Sequence, residues 1–139
     1  MKTVTAAILI HQGKILIARR RKEDRLAGCW EFPGGTLETG ESPEYCLARE
    51  LREEFAIEIE VGAFLGESIY HYDHGAICLL AYLAGWKDGE LDCRVHDQYA
   101  WVEVQELRDY EFSPADVPFV QILQRGGMVE GCEWSRRLP

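Results

Sequence analysis

Apolar residues come in short runs at the start of the chain. In TVTAAILIHQGKILIARR they fill residues 3–10 and again 14–19, with His11-Gln12-Gly13 between them. Two β-rich runs separated by a glycine turn predict a hairpin. RKEDRLAG then predicts a charged loop and CWEF a short strand. PGGTLETGE predicts another loop, because Pro33, Gly34, Gly35 and Gly40 all disfavour regular structure.

Helix signals follow. Ser42 suits an N-cap, Pro43 the first helical position, and Glu44 the positive end of the helix dipole. From there to about Ala56, Leu47, Leu51 and Phe55 recur every fourth residue with Ala48 beside them, giving one apolar stripe. IEIEVGAFLGESIYHY and GAICLLAYLAGW predict longer strands around a turn at Tyr72-Asp73-His74-Gly75. QYAWVEV predicts a further strand, and SPADVPFVQILQ a second helix entered through Ser113-Pro114. The final stretch, GGMVEGCEWSRRLP, has no clear period. A strand-rich chain with a few helices implies an α/β fold, with helices on both faces of a mixed sheet. We expect one domain over residues 1–126 and a loosely held tail over 127–139.

Composition bounds this picture. A chain of 139 residues suits a single domain with one core. No apolar run approaches the roughly 18 residues of a membrane span. The start, MKTVTAAILIHQG, lacks a small-residue cleavage site and reads as a strand, so a cytoplasmic location is expected. Cys29, Cys46, Cys78, Cys93 and Cys132 show no pairing or metal-ligand spacing and are expected as free thiols. With 15 Lys plus Arg against 24 Asp plus Glu, the net charge is −9. The chain thus has no basic surface for a nucleic acid duplex. A small anionic substrate stays open where a metal ion supplies local positive charge.

The charge pattern matters most at RELREEF. On a helix, Glu50, Glu53 and Glu54 share a face at i, i+3 and i+4, beside the apolar stripe. Like charges at that spacing cost about 0.2–0.5 kcal/mol per pair, so either the face sits in water and tolerates the cost or a cation is meant to sit there. Upstream, Gly34 and Gly35 let the backbone approach a ligand closely or take positive φ, which turns a carbonyl toward such a cation. Hard dications bind oxygen ligands and bridge carboxylates to phosphates. The set suits phosphoanhydride hydrolysis: a metal neutralises phosphate charge and lowers the pKa of water, and a spare carboxylate takes the proton.

The residues also match a known pattern. From Gly35 the chain runs five residues to Glu41, seven more, then Arg49-Glu50-Leu51-Arg52-Glu53-Glu54-Phe55-Ala56-Ile57. This resembles the Nudix box, G-x5-E-x7-R-E-U-x-E-E-x-G-U with U aliphatic, and only Ala56 departs from it. IARRRKEDRLAGCWEFPGG resembles the segment leading into the box in MutT-type nucleoside triphosphate pyrophosphohydrolases, and SPADVP resembles their base-contacting segment. The resemblance covers most of residues 3–125. It implies a Nudix-type α/β/α sandwich around a central mixed β-sheet. It further implies that Glu50, Glu53 and Glu54 bind Mg²⁺, with Mn²⁺ as a substitute, and that the Gly34 carbonyl is a further ligand. Arg49 would orient a metal-binding glutamate and pair with Glu41. Relatives often carry another glutamate, a candidate general base, where this chain has Val95. Glu53 or Glu54 is therefore expected as the base, with His96 or Asp97 as substitutes from a shifted loop.

The resemblance says less about the substrate. Arg20 matches a phosphate-contacting position, and Phe32 is placed either to stack on a base or to fill the core. Asp116 stands where MutT has Asn, and its plainer reading is an N-cap for the helix after Ala115. An ionised Asp only accepts hydrogen bonds and favours a base with an amino group, whereas a protonated one also donates. The reaction implied is cleavage of a (deoxy)nucleoside triphosphate, 8-oxo-dGTP-like or CTP/dCTP-like, to monophosphate and pyrophosphate. Rival readings are another nucleoside diphosphate-linked compound, such as ADP-ribose, a nucleotide sugar or a dinucleoside polyphosphate, or a binding domain without turnover. The short chain favours triphosphates, and the intact carboxylate set favours turnover. The partner is then a small nucleotide, and the protein a monomer or homodimer. Tyr70, His71, Tyr72 and His74 are left outside the expected site.

Overall fold

The structure, a computed structural model, describes residues 1–126. The expected tail lies outside the described residues. The first hairpin forms from β1 (Lys2–His11) and β2 (Lys14–Arg19), with His11 opposite Lys14. Its turn is Gln12-Gly13 alone, at φ 52° and 78°. Paired positive φ values match the twist of a two-residue hairpin, so His11 stays in the strand.

The remaining strands are β3 (Trp30–Glu31), β4 (Gly34–Thr36), β5 (Glu58–Tyr72), β6 (Gly75–Asp88) and β7 (Gln98–Val102). All seven join one mixed sheet of order β3-β2-β1-β6-β5, with β4 paired to β1 and β7 to β2. The β1–β6 pair is parallel and the rest are antiparallel.

Side chains alternate across a strand, so β1 feeds two cores. Ala6, Ile8 and Ile10 pack on one face with Phe119, Val120 and Leu123 of α2 (Val117–Gln124). Ala7 and Leu9 pack on the other with Leu47, Leu51 and Phe55 of α1 (Pro43–Phe55). One helix on each face makes the expected α/β/α sandwich.

Three expectations need correction. Gly34 and Gly35 are not in a loop: they form β4 against Thr5 and Ala6. A Cβ on Gly34 would lie 1.9 Å from the Thr5 carbonyl oxygen, so glycine permits this pairing where it usually weakens a strand. Neither takes the positive φ weighed as one use for them. The segment after β7 holds an unexpected 3₁₀ helix, Val104–Asp109, closed by reciprocal bonds between Glu103 and Glu106. The second helix does not start at Ser113: Pro114–Asp116 form a 3₁₀ turn, and the α-helix follows.

Candidate active site

α1 carries the acidic face because its ends are well defined. Ser42 Oγ accepts the Tyr45 N–H at 3.1 Å, Pro43 starts the helix, and Glu44 lies in the first turn. Ala56 ends it in the left-handed region at φ 61°, with its N–H donating to the Arg52 carbonyl. This is the conformation the box glycine would take freely.

Arg49 organises the carboxylates. Nε and Nη2 grip both oxygens of Glu41, and Nη1 lies 3.2 Å from Glu53 Oε1 and 3.5 Å from Glu50 Oε1. The guanidinium holds the Glu41 carboxyl down at about 2, and Arg49 is raised in turn, chiefly by that bond. Glu50 packs against Gly35, where a Cβ would sit 2.2 Å from its carboxyl carbon. Burial raises the Glu50 pKa despite Arg49. Glu54 is more perturbed: burial first, then Glu50, Glu31 and Glu53, push it up to about 9. Its Oε1 is buried without a hydrogen-bond partner.

Gly34, Gly35, Glu38, Glu50 and Glu54 line one part of a 510 Å³ cavity. Glu53 is outside that lining, 59% exposed and tied to Arg49. Arg20 also lines the cavity, with Nη1 3.0 Å from Glu31 Oε1 and Nε donating to the Arg25 carbonyl. Phe32 lines the cavity as well, 3% exposed with its ring against Phe112. Its main chain still serves the site, because the Phe32 N–H donates to Asp116 Oδ1 at 3.1 Å. Asp116 does not cap α2: its side chain is spent on Phe32, it is 5% exposed, and burial raises its pKa well above the carboxylate range.

Sequence reasoning missed part of the cavity. Tyr72 and His74, left out above, line it with Glu31 and Ser113. Tyr72 accepts the Ala115 N–H at 2.9 Å and stacks on His74 at 5.1 Å and 9°. The signal available was their place at the tip of a long hairpin. His71 does not line the cavity. Neither substitute base from the loop is free: His96 Nε2 is held by Glu31 at 2.8 Å, and Asp97 pairs with Arg19 at 2.8 Å.

Among the described residues, no three His, Cys, Asp or Glu side chains are gathered closely enough to hold a metal as they stand. The donors nonetheless fit a hard dication. Glu50 and Glu54 are carboxylates whose charge is disfavoured by burial and mutual repulsion, and Glu54 Oε1 has no partner. A cation between them would relieve all three conditions. Cys29, Cys46, Cys78 and Cys93 are free thiols, and Cys132 lies outside the described residues.

Comparison with known proteins agrees with this geometry. The NUDIX domain matches residues 1–123. The chain is 37% identical over 121 residues to the CTP pyrophosphohydrolase of Escherichia coli (strain K12), spanning 87% of this chain and 90% of that protein. It is 30% identical over 128 residues to the 8-oxo-dGTP diphosphatase of the same organism, spanning 90% and 99%. The solution structure of the E. coli ORF135 protein superposes with a TM-score of 0.78 at 36% identity, over 90% of this chain and 89% of that one. The crystal structure of the MutT protein from Methanosarcina mazei Go1 superposes with a TM-score of 0.79 at 25% identity, over 89% and 93%. The chain belongs to the NUDIX family, whose hydrolases generally need a divalent cation. No helix of the described residues is long and apolar enough to cross a membrane.

Proposed function

We propose that the protein hydrolyses a (deoxy)nucleoside triphosphate to nucleoside monophosphate and pyrophosphate, with Mg²⁺ as its cation. The observation that carries this reading is the cavity itself. The box residues Glu50 and Glu54, with the partnerless Glu54 Oε1, share it with Arg20 and the buried Asp116.

Glu50, Glu54 and the Gly34 carbonyl would hold the cation, with Glu53 joining from the exposed flank. When bound, the cation neutralises the diphosphate and makes water easier to deprotonate. Arg49 keeps the Glu50 and Glu53 rotamers fixed while Glu41 anchors it from behind. Arg20 binds phosphate oxygens with a planar, permanently charged donor set. Glu54 or Glu53 takes the proton from the attacking water. His96 and Asp97 are committed to other partners.

Asp116 reads the base. Burial favours its neutral form, which donates a hydrogen bond while Oδ1 still accepts from Phe32. A group that both donates and accepts suits the edge of cytosine or of 8-oxoguanine. The names of the two Escherichia coli relatives support the same pair of substrates.

The test is release of pyrophosphate and monophosphate from CTP, 5-methyl-dCTP, dGTP, 8-oxo-dGTP and ADP-ribose with Mg²⁺. Turnover of one triphosphate above the rest supports the reading. Turnover of ADP-ribose alone, or of none, would overturn it.

A further inference from the structure

A histidine outside the box, its side chain turned inward, joins the box helix to the cavity arginine. The link from β6 to β7 is pinned along its length. The Asp92 N–H donates to the Phe55 carbonyl at 2.9 Å, Arg94 N–H to the Glu54 carbonyl at 3.0 Å, and Asp97 N–H to the Arg19 carbonyl at 3.2 Å. The Cys93 thiol lies 3.5 Å from the His96 carbonyl. The first two bonds satisfy carbonyls that the end of α1 leaves free. Between these fixed points the His96 side chain turns inward and is 5% exposed.

The ring of His96 stacks on Phe55 at 5.5 Å and 14°. Its Nε2 lies 2.8 Å from Glu31 Oε2, and the other oxygen of Glu31 lies 3.0 Å from Arg20 Nη1. Arg20 Nε is taken by the Arg25 carbonyl. A relay of contacts thus runs from Phe55 through His96 and Glu31 to Arg20. Glu31 stands on a strand of two residues, which fixes its side chain weakly by itself. Glu31 and Arg20 both line the cavity, whereas His96 does not.

We propose that His96 is a positioning residue for substrate phosphate binding: it fixes Glu31, and Glu31 fixes the guanidinium of Arg20. The inference rests on the triphosphate reading above. A guanidinium must hold its plane to present two donors to a phosphate, and a carboxylate clamped from both sides supplies that plane.

The experiment is a mutant cycle on the full chain with Mg²⁺ and its best triphosphate. His96→Phe keeps an aromatic ring against Phe55 and removes the donor. It should raise KM about ten-fold, the size of a lost hydrogen bond to a charged group, with kcat little changed. His96→Gln restores a donor and should recover most of the loss. In an Arg20→Ala background, His96→Phe should add nothing further, because the group it positions is gone. Glu31→Gln, which also weakens the clamp, should likewise absorb the His96 effect; should His96→Phe not fold, His96→Leu, which also lacks a donor, takes its place in the same cycle. Additive KM effects, or an unchanged KM in folded His96→Phe, would overturn the inference. If the unaltered protein cleaves no triphosphate, the proposed function falls first and His96 with it. If it does cleave and the cycle is additive, only the role of His96 falls.

Discussion

Glu54 is a carboxylate that the proposed chemistry needs charged and that the fold makes costly to charge. Burial and three acidic neighbours hold its pKa at about 9, so at neutral pH it keeps its proton unless a cation displaces it. Glu54→Gln should lower triphosphate hydrolysis by on the order of 10²-fold or more. Without added cation its melting temperature should not fall, because the amide replaces an acid that was already neutral. Rates and melting curves on the same preparation check both statements. Glu53→Gln, at an exposed position, should also cut the rate by orders of magnitude and leave the fold intact. The two glycines of β4 separate fold from site in another way. Gly34→Ala meets backbone at the Thr5 carbonyl and should destabilise the protein. Gly35→Ala meets first the movable carboxylate of Glu50, so it should fold and lose activity. Circular dichroism melts beside the hydrolysis assay distinguish them.

At the scale of elements, α1 is the part of the protein most legible in the sequence. Its cap, first-turn proline and four-residue stripe are local signals, and the observed helix follows them from Pro43 to Phe55. The one departure from the box, Ala56, sits at φ 61°, where a side chain is strained. Ala56→Gly should therefore stabilise the protein by about 1 kcal/mol, read as a rise in the urea midpoint at unchanged slope. By contrast, β4 was illegible as a strand. Glycines read as breakers, and only the closeness of β1 makes them the residues that fit. The Glu41–Arg49 pair ties the loop after β4 to α1, and its contribution has a sign. Glu41 is depressed from 4.5 to about 2, so its stabilisation is present above pH 4.5 and is lost as the pH falls toward 2.

For the molecule as a whole, the raised carboxylates act the other way. Glu54 binds its proton more tightly folded than unfolded, so its contribution is full below pH 4.5 and lost as the pH rises through about 9. Glu50 and Asp116 shift in the same direction. Without divalent cation, the melting temperature should decline from pH 6 to pH 9 on this account. With Mg²⁺, which needs the ionised carboxylates, the decline should shrink, so stabilisation by Mg²⁺ should grow with pH. An equal Mg²⁺ effect at both ends of that range would place the cation away from Glu50 and Glu54.

By itself the sequence determined the long strands, α1 and the acidic helix face, because periodicity, caps and box spacing act over a few neighbouring residues. It also carried, in residue types at fixed intervals, the resemblance that implies the family and the reaction class. Only the tertiary structure decided that Asp116 binds the Phe32 N–H instead of capping α2, and that Tyr72 and His74 enter the cavity. It likewise decided that His96 is held beneath Glu31 and is not exposed as a base. These outcomes depend on how hairpins and loops distant in sequence pack together. Burial, which sets both the partners and the protonation of these side chains, exists only once they have packed.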